Sequence, residues 1–453
     1  MKTYKDVLNF LDSLTNYENI GFRDINKGFT CPDKIRKALD RIKNPDYNYR
    51  SIHIAGTKGK GSICAFTASI LESAGYKTGL YTSPHLMSPC ERISVNGDLI
   101  GDADIVDVMR YLHDVLGESF LREFTFFEVF TLIAIEFFNR QKVDFAVFET
   151  GLGGRLDATN VLNSEVCGIT PISYDHMEVL GENIKDIAFE KAAIIKTGTK
   201  CISSLQKEEA MDVIKQRCEE QNVCLSVVGK DITFTLNDIN ESGSLFNVFG
   251  KKRQYKDCRI KLPGYFQVTN CVTAIGICGE VFGDMDIKDT VIKEGVIRAF
   301  IPARMEILCK SPTLIIDGAQ NKESARKLKY SVERIFKYGK LILILGLSRE
   351  KDISGVCKQL VPFADEIILT RSANTRAEDP FIIRGYIRNR SVKVTRDTRE
   401  ALGTALKIAG KNDMILATGS FYVAGEVREL LVGAGSKPAR TSKKSEADVG
   451  TCT

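Results

Sequence analysis

The sequence predicts an α/β protein in two parts. A larger first domain is built on a mostly parallel sheet of the P-loop type, and a smaller, Rossmann-like α/β domain follows it. Three observations point there. Short apolar runs alternate with helical patterns along most of the chain, as crossover connections between parallel strands require. A glycine-rich turn joins the first of these runs to the helix after it. Beyond residue 225 the pattern changes to alternating polar and apolar residues, and from 313 the strand–helix rhythm resumes. The length of 453 residues agrees, because single cores stop growing near roughly 250–300 residues. The boundary falls near Phe300-Ile301-Pro302, which gives domains 1–299 and 300–432 and a small-residue, polar tail, 433–453, with the composition of a disordered segment.

Taken in order, residues 1–48 read as helical, with Leu8, Leu11 and Leu14 at helical spacing and Pro32 opening a second helix. Ser51–Ala55 is a short apolar strand. The turn follows, then a helix over Ile63–Ala74 stopped by Gly75, and a strand over Thr78–Thr82, which completes a βαβ unit. The pattern recurs as a helix over Phe127–Arg140, a strand over Phe145–Glu149 and a buried strand at Cys167–Thr170. Residues 225–262 carry the alternation and the Asn, Gly and Ser of antiparallel hairpins, and a helix over 267–282 ends the first domain. In the second domain the strands are Leu314–Ile316, Leu341–Leu345, Glu366–Leu369 and Met414–Leu416, with helices over 321–337, 352–360 and 398–409.

Composition excludes several classes of function. The formal charge is +5, from 63 basic and 58 acidic residues. The tail, with four basic and two acidic side chains, carries +2 of it. The body is nearly balanced, so there is no electrostatic footprint for nucleic acid or an anionic membrane. The most apolar run, Phe126–Phe138, is short of the roughly 20 residues a span needs and contains Glu128 and Glu136. The opening MKTYKDVLNF lacks a signal-peptide core. Thirteen scattered cysteines without a C-x-x-C pair suit neither a disulfide framework nor zinc, and read as mostly buried thiols in a cytoplasmic protein. Cys64, Cys271 and Cys278 sit in apolar helical patterns and fill core.

Chemistry concentrates at Gly56-Thr57-Lys58-Gly59-Lys60-Gly61-Ser62. Glycines let backbone N–H groups converge on phosphate oxygens, the following helix adds its positive end, and Lys60 adds a point charge toward the β/γ-phosphates. The general phosphate-loop pattern is matched incompletely: Ile54 stands where it has glycine, and Gly61 where it has Ser or Thr. The alternative is a plain turn with a surface lysine. Three polar residues stand at the carboxyl ends of strands, where open parallel sheets bind ligands. Ser83, Glu149 and His176 could share one Mg²⁺, with water and phosphate oxygens completing an octahedron. The alternatives are a helix cap for Glu149 and an ordinary loop residue for His176.

These residues resemble those of a known family. The run His53–Ser62 resembles the phosphate loop of folylpolyglutamate synthase/dihydrofolate synthase, a branch of the Mur ligase superfamily. Leu80–Leu86, Glu91-Arg92-Ile93, Glu149–Asn160, Asp175–Gly181, Glu190–Lys196, Leu262–Gln267, Pro302–Glu306 and Thr418–Tyr422 match as well, in order, over nearly the whole chain except the tail. The resemblance implies an ATP-dependent amide ligase in which a folate or dihydropteroate carboxylate is phosphorylated to an acyl phosphate and then attacked by the amine of L-glutamate. It implies that Ser83, Glu149 and His176 are metal-associated and that Lys191 is used in carbamylated form, holding a second Mg²⁺; a helix-surface lysine is the alternative. It further implies that Asn270, Arg304 and Asp317 contact nucleotide, that Thr125, Phe127 and Asp157 lie near a pterin, and that Ser420 and Tyr422 lie near the incoming glutamate. For Phe127 core packing is the alternative. Lys60, His176, Lys191 and Arg304 would form the catalytic set, in a cytoplasmic monomer whose partners are small molecules.

Three positions depart from the family pattern. Lys58 replaces the usual asparagine, Phe266 replaces a common histidine, and Gln320 replaces a histidine that can carry a proton where glutamine cannot. Another Mur-type ligase acting on a peptidoglycan precursor and a non-ligating nucleotide-binding module are the competing readings, along with a ligase-like protein that has lost activity. The Gly59-Lys60-Gly61-Ser62 loop and Ser83-Pro84-His85 favour the folate branch over the first, and the domain order and the Glu190-Lys191 segment speak against the second.

Overall fold

The computed structural model describes residues 1–20, 32–251, 253–285 and 287–433. Residues 434–453, which hold nearly all of the expected tail, lie outside them.

Eight strands form the first sheet: β1 (Arg50–Ala55), β2 (Thr78–Tyr81), β3 (Ile93–Val95), β4 (Asp98–Leu99), β5 (Phe145–Glu149), β6 (Val166–Ile169), β7 (Lys200–Ser203) and β8 (Leu225–Val227). Their order is β4-β3-β2-β5-β1-β6-β7-β8, with only β3 and β4 antiparallel to their neighbours. The middle strands are buried on both faces, which is why they read as unbroken apolar runs. The two faces of β5 show the layering. Ala146 and Phe148 face one core, with the Tyr4–Asp12, Pro32–Arg41, Asp102–Leu116 and Phe126–Arg140 helices. Phe145 and Val147 face the other, with the Lys60–Ser73, Tyr265–Phe282 and Asp289–Arg298 helices. The Lys60–Ser73 helix is apolar all round because it lies between the sheet and two other helices. It meets the Asp289–Arg298 helix closely enough that a Cβ on Gly295 would stand 2.5 Å from Ile70 Cα.

The alternating stretch does form antiparallel strands: β9 (Thr233–Asn240), β10 (Gly243–Phe249) and β11 (Gln254–Ile260), in the order β11-β10-β9. Its first segment belongs elsewhere. Leu225–Val227 pairs in parallel with β7 at the edge of the large sheet, its partial exposure giving it the look of a hairpin strand.

The third sheet holds β12 (Glu306–Lys310), β13 (Thr313–Ile316), β14 (Leu341–Leu345), β15 (Glu366–Leu369), β16 (Lys393–Val394) and β17 (Met414–Thr418), in the order β12-β13-β17-β14-β15-β16. The last strand thus lies in the middle. Leu343, Ile367 and Leu416 face the Lys322–Ile335 and Ile353–Leu360 helices, and Ile342, Ile368 and Ile415 face the Thr398–Ile408 and Phe421–Val432 helices. The first part of the chain reaches both cores, Phe266 and Ile239 packing on one and Leu86 lying in the other. Among the described residues no helix is long and apolar enough to cross a membrane. Ten described cysteines are free thiols, and of these only Cys224 is exposed.

Candidate active site

The loop between β1 and the Lys60–Ser73 helix has a shape only glycine permits. Gly56 has φ +143°, and a Cβ there would stand 1.9 Å from Thr170 Oγ1. Gly59, at φ +94°, is the N-cap, and its Cβ would stand 2.5 Å from Asn270 Oδ1. A Cβ on Gly61 would come within 3.1 Å of Glu149 Oε2, a physical reason for glycine where the general loop has Ser or Thr. The helix begins at Lys60, not at Ile63 as the spacing suggested, since a glycine N-cap offers no side-chain signal. The N–H groups of Lys60, Gly61 and Ser62 therefore lie in its first turn, without intrahelical acceptors and at its positive end. The N–H groups of Thr57 and Lys58 are already used, both donating to Pro171 O at 3.1 and 3.3 Å.

Around this loop the structure gathers charge. Lys60 Nζ donates to Gly56 O at 3.3 Å and stands 4.0 Å from Glu149 Oε1. The same carbonyl accepts a 3.0 Å hydrogen bond from Lys191 Nζ. Lys191 lies on the Ile184–Ala192 helix and is buried, which excludes the surface-lysine alternative. Burial, reinforced by the positive charge of Lys60, pushes its ammonium down to about 7. Glu149 caps no helix. Its Oε2 accepts the Ser83 N–H at 3.2 Å, and burial raises its carboxyl above the ordinary range against the pull of Lys60 and Arg304. His176 has left-handed backbone (φ +51°) and opens the one-turn helix Met177–Leu180. Burial pushes its imidazole down to about 4, with Lys351, Lys191 and Lys60 adding to the effect, so the ring is neutral at pH 7.

Arg304 reaches toward the same cleft from the second domain. It sits between two left-handed residues, Ala303 (φ +53°) and Met305 (φ +49°). Asp317 fixes that turn by accepting the N–H groups of Met305 and Ala319 at 2.9 and 2.8 Å. The guanidinium lies 4.4 Å from the Phe421 ring centroid and feels Asp317 and Glu149. Burial lowers its pKa and raises that of Asp317. Asn270 is buried beside Gly59 and donates to Gln267 Oε1 at 3.1 Å.

The remaining expected residues separate into two kinds. Thr125 and Ser420 are engaged as N-caps, accepting from Glu128 N and Val423 N. Asp157 is buried and accepts from Leu152 N, Thr159 N and Thr159 Oγ1, with burial raising its pKa. Phe127 is half-buried against Gly151, where a Cβ would touch its ring at 2.6 Å, and lies 5.8 Å from the Tyr81 ring. Gln320 is half-buried, its N–H donating to Ser324 Oγ, and Phe266 packs against the second domain. Sequence reasoning missed Lys351, whose charge acts on Asp175 and His176 from the loop after β14. It also left unassigned the buried Arg92, which pairs with Glu18, donates to His85 Nδ1 at 2.8 Å and lies over the Phe126 and Phe130 rings. Only the Glu91-Arg92-Ile93 string pointed to it.

The lining suits a polyanion and a hard cation. Four buried polar atoms in or beside this lining, Thr150 Oγ1, Thr170 Oγ1, Ser173 Oγ and Gln267 Nε2, have no partner among the described residues. Among those residues no three His, Cys, Asp or Glu side chains cluster tightly enough to hold a metal alone. A cation held by one carboxylate, one hydroxyl and one imidazole needs oxygens from water or phosphate, as Mg²⁺ prefers.

Two family profiles match: the Mur ligase middle domain over residues 54–278 and the Mur ligase glutamate ligase domain over residues 303–421. The chain is 31% identical over 407 residues to the dihydrofolate synthase/folylpolyglutamate synthase of Bacillus subtilis, covering 88% of this chain and 94% of that protein. It superposes on the folylpolyglutamate synthase of Mycobacterium tuberculosis complexed with ADP and AMPPCP with a TM-score of 0.85 and 29% identity, over 96% of this chain and 99% of that one. The bifunctional folylpolyglutamate synthase/dihydrofolate synthase of Yersinia pestis with Mn, AMPPNP and L-glutamate bound gives a TM-score of 0.81 at 25% identity, over 95% and 98% of the two chains.

Proposed function

The chain belongs to the folylpolyglutamate synthase/dihydrofolate synthase family of Mur ligases, and from that premise we propose that it is an ATP-dependent ligase joining L-glutamate to a folate or dihydropteroate carboxylate. The observation that carries the reading is one cleft in which Lys60, Lys191, Glu149 and His176 from the first domain meet Arg304 from the second. A free carboxylate is a poor electrophile, so its oxygen is first made a leaving group by transfer of the γ-phosphoryl group. The C–O bond to phosphate then breaks as the amine of glutamate attacks the acyl carbon, releasing phosphate and a proton. Both steps bring anions together, so preorganised cations are the main requirement.

In this reading 1–299 binds ATP and 300–432 presents glutamate. The phosphates are cradled at the helix start by the N–H groups of Lys60, Gly61 and Ser62, and Lys60 exchanges Gly56 O for a phosphate oxygen. Arg304 closes on the phosphates from the far side, its guanidinium making no hydrogen bond among the described residues, while Asp317 holds the turn that aims it. Asn270 backs the loop beside the nucleotide. Ser83, Glu149 and the neutral His176 would hold Mg²⁺, which supplies charge cancellation between the phosphates and the acceptor carboxylate. Lys191, with an ammonium brought down to about 7, offers the neutral amine that carbamylation needs, and the carbamate would hold a second Mg²⁺. Phe127 offers a ring face to the pterin; Thr125 and Asp157 shape that pocket from their fixed positions. Ser420 and Tyr422 start the helix beside the incoming glutamate. Gln320 serves as a hydrogen-bonding group only.

The test is purified protein with ATP, Mg²⁺, labelled glutamate and either dihydropteroate or tetrahydrofolate. Incorporation with one acceptor or both is expected and distinguishes the two activities. No incorporation with either overturns the ligase reading, and incorporation only with a peptidoglycan precursor transfers the chain to the other Mur branch.

A further inference from the structure

Lys58 and Lys60 stand two residues apart on the phosphate loop, yet their ammonium groups take different partners. Lys60 turns to Gly56 O and Glu149, whereas Lys58 Nζ stands 2.7 Å from Asp175 Oδ2. That pair is the last of a line of ties between the phosphate loop and residues 171–176. The N–H groups of Thr57 and Lys58 donate to Pro171 O, Thr57 Oγ1 donates to Ser173 O at 3.2 Å, and Ser173 N donates back to Thr57 Oγ1 at 3.1 Å. The other carboxylate oxygen of Asp175 lies 3.8 Å from His176 Nε2. His176 holds left-handed backbone, which a residue with a Cβ adopts only at a cost, and it opens a one-turn helix. The ties to the phosphate loop anchor the segment that carries it, and Tyr174 within that segment is more than half exposed.

We propose that Lys58 is a positioning residue for His176, acting through Asp175, and not a ligand of the nucleotide phosphates. The inference rests on the cation role assigned above to His176. Its logic is electrostatic and geometric. An ammonium paired at 2.7 Å with a carboxylate adds no net charge to the loop, so the lysine that replaces asparagine here does not strengthen the anion site. It fixes one oxygen of Asp175 and with it the chain next to His176, whose Nε2 lies 3.8 Å from the second oxygen. A partly exposed pair contributes little to global stability, so its effect is local.

The test uses the full chain with Lys58→Ala, Asp175→Asn, the double variant and Lys58→Arg. Each single change is expected to speed hydrogen exchange of amides 174–180 and to raise the half-saturating Mg²⁺ concentration about tenfold, the scale seen when an outer-shell partner is removed. The double variant should be no worse than either single one, Lys58→Arg should restore both readouts, and ADP affinity measured in EDTA should stay within about twofold of the parent. The proposal is overturned if Lys58→Ala leaves exchange of 174–180 unchanged while weakening metal-free ADP binding, or if the two single effects add. The exchange measurement needs no ligation, so failure of the ligase reading and failure of this proposal are separately visible.

Discussion

At the residue scale the buried ionisable groups set the behaviour with pH. His53 is fully buried, its Nε2 in contact with Thr159 Oγ1 at 2.7 Å, and burial pushes its imidazole down to about 3. Its folded pKa lies below the unfolded one, so the folded state binds fewer protons, and stability falls as pH drops from about 6.5 toward 3, by on the order of 5 kcal/mol. Replacing His53 with Gln removes this term: the variant is less stable at pH 7.5 through lost packing, and urea titrations at pH 7.5 and 4.5 should show the gap to the parent narrowing at the lower pH. A gap that widens would refute the assignment. On the proposed role of Lys60 toward the transferring phosphoryl group, Lys60→Ala should cut turnover at least about 100-fold with the melting temperature nearly unchanged; an active variant would deny Lys60 that role. Gly56, Lys60, Ser83 and Glu149 could be placed from the string because strand ends and glycine turns are local features. Lys351 could not, since its proximity to His176 is created by packing of the two domains and leaves no local trace.

At the element scale the site depends on how closely helices approach loops. Gly154 shows it: a Cβ there would stand 2.7 Å from Glu190 O and 3.1 Å from Lys191 Cα. Gly154→Ala should push the Ile184–Ala192 helix away, costing about 1–3 kcal/mol in a thermal melt and lowering turnover through Lys191. Unchanged activity would remove Lys191 from the machinery. The long apolar strands and the Phe126–Arg140 helix were legible because burial on all sides leaves a continuous apolar run. Other elements were harder to see. β7 and β12 mix lysine with short apolar stretches, and the Ile184–Ala192 helix is weakly amphipathic, so its importance was visible only through the motif it carries.

At the scale of the whole molecule the two domains touch beside the cleft. A Cβ on Gly425, in the Phe421–Val432 helix, would stand 3.1 Å from Met87 Sδ and 3.2 Å from Leu86 in the first domain. Arg376 of the second domain donates to Glu18 O, while Arg92 of the first holds the Glu18 carboxylate, so one short N-terminal helix links both. Gly425→Leu should wedge the domains apart and lift Leu86 from the second-domain core, raising KM for glutamate and lowering kcat about tenfold together, with a larger radius of gyration in solution scattering. Unaltered kinetics would show that this contact has no part in closure. The two-domain plan was legible from the interrupted strand rhythm, but the contact was not, because Gly425 and Leu86 lie far apart in sequence and neither breaks its local pattern.

The position of β17 also bears on how the chain is made. All eight strands of the first sheet are synthesised by residue 227, but the middle strand of the third, Met414–Thr418, comes after its neighbours on both sides. During translation β13 and β14 must wait, each with an unpaired inner edge, until the ribosome has delivered the strand that joins them. The first domain can mature early, whereas a nascent chain halted before Met414 lacks the strand that joins β13 to β14.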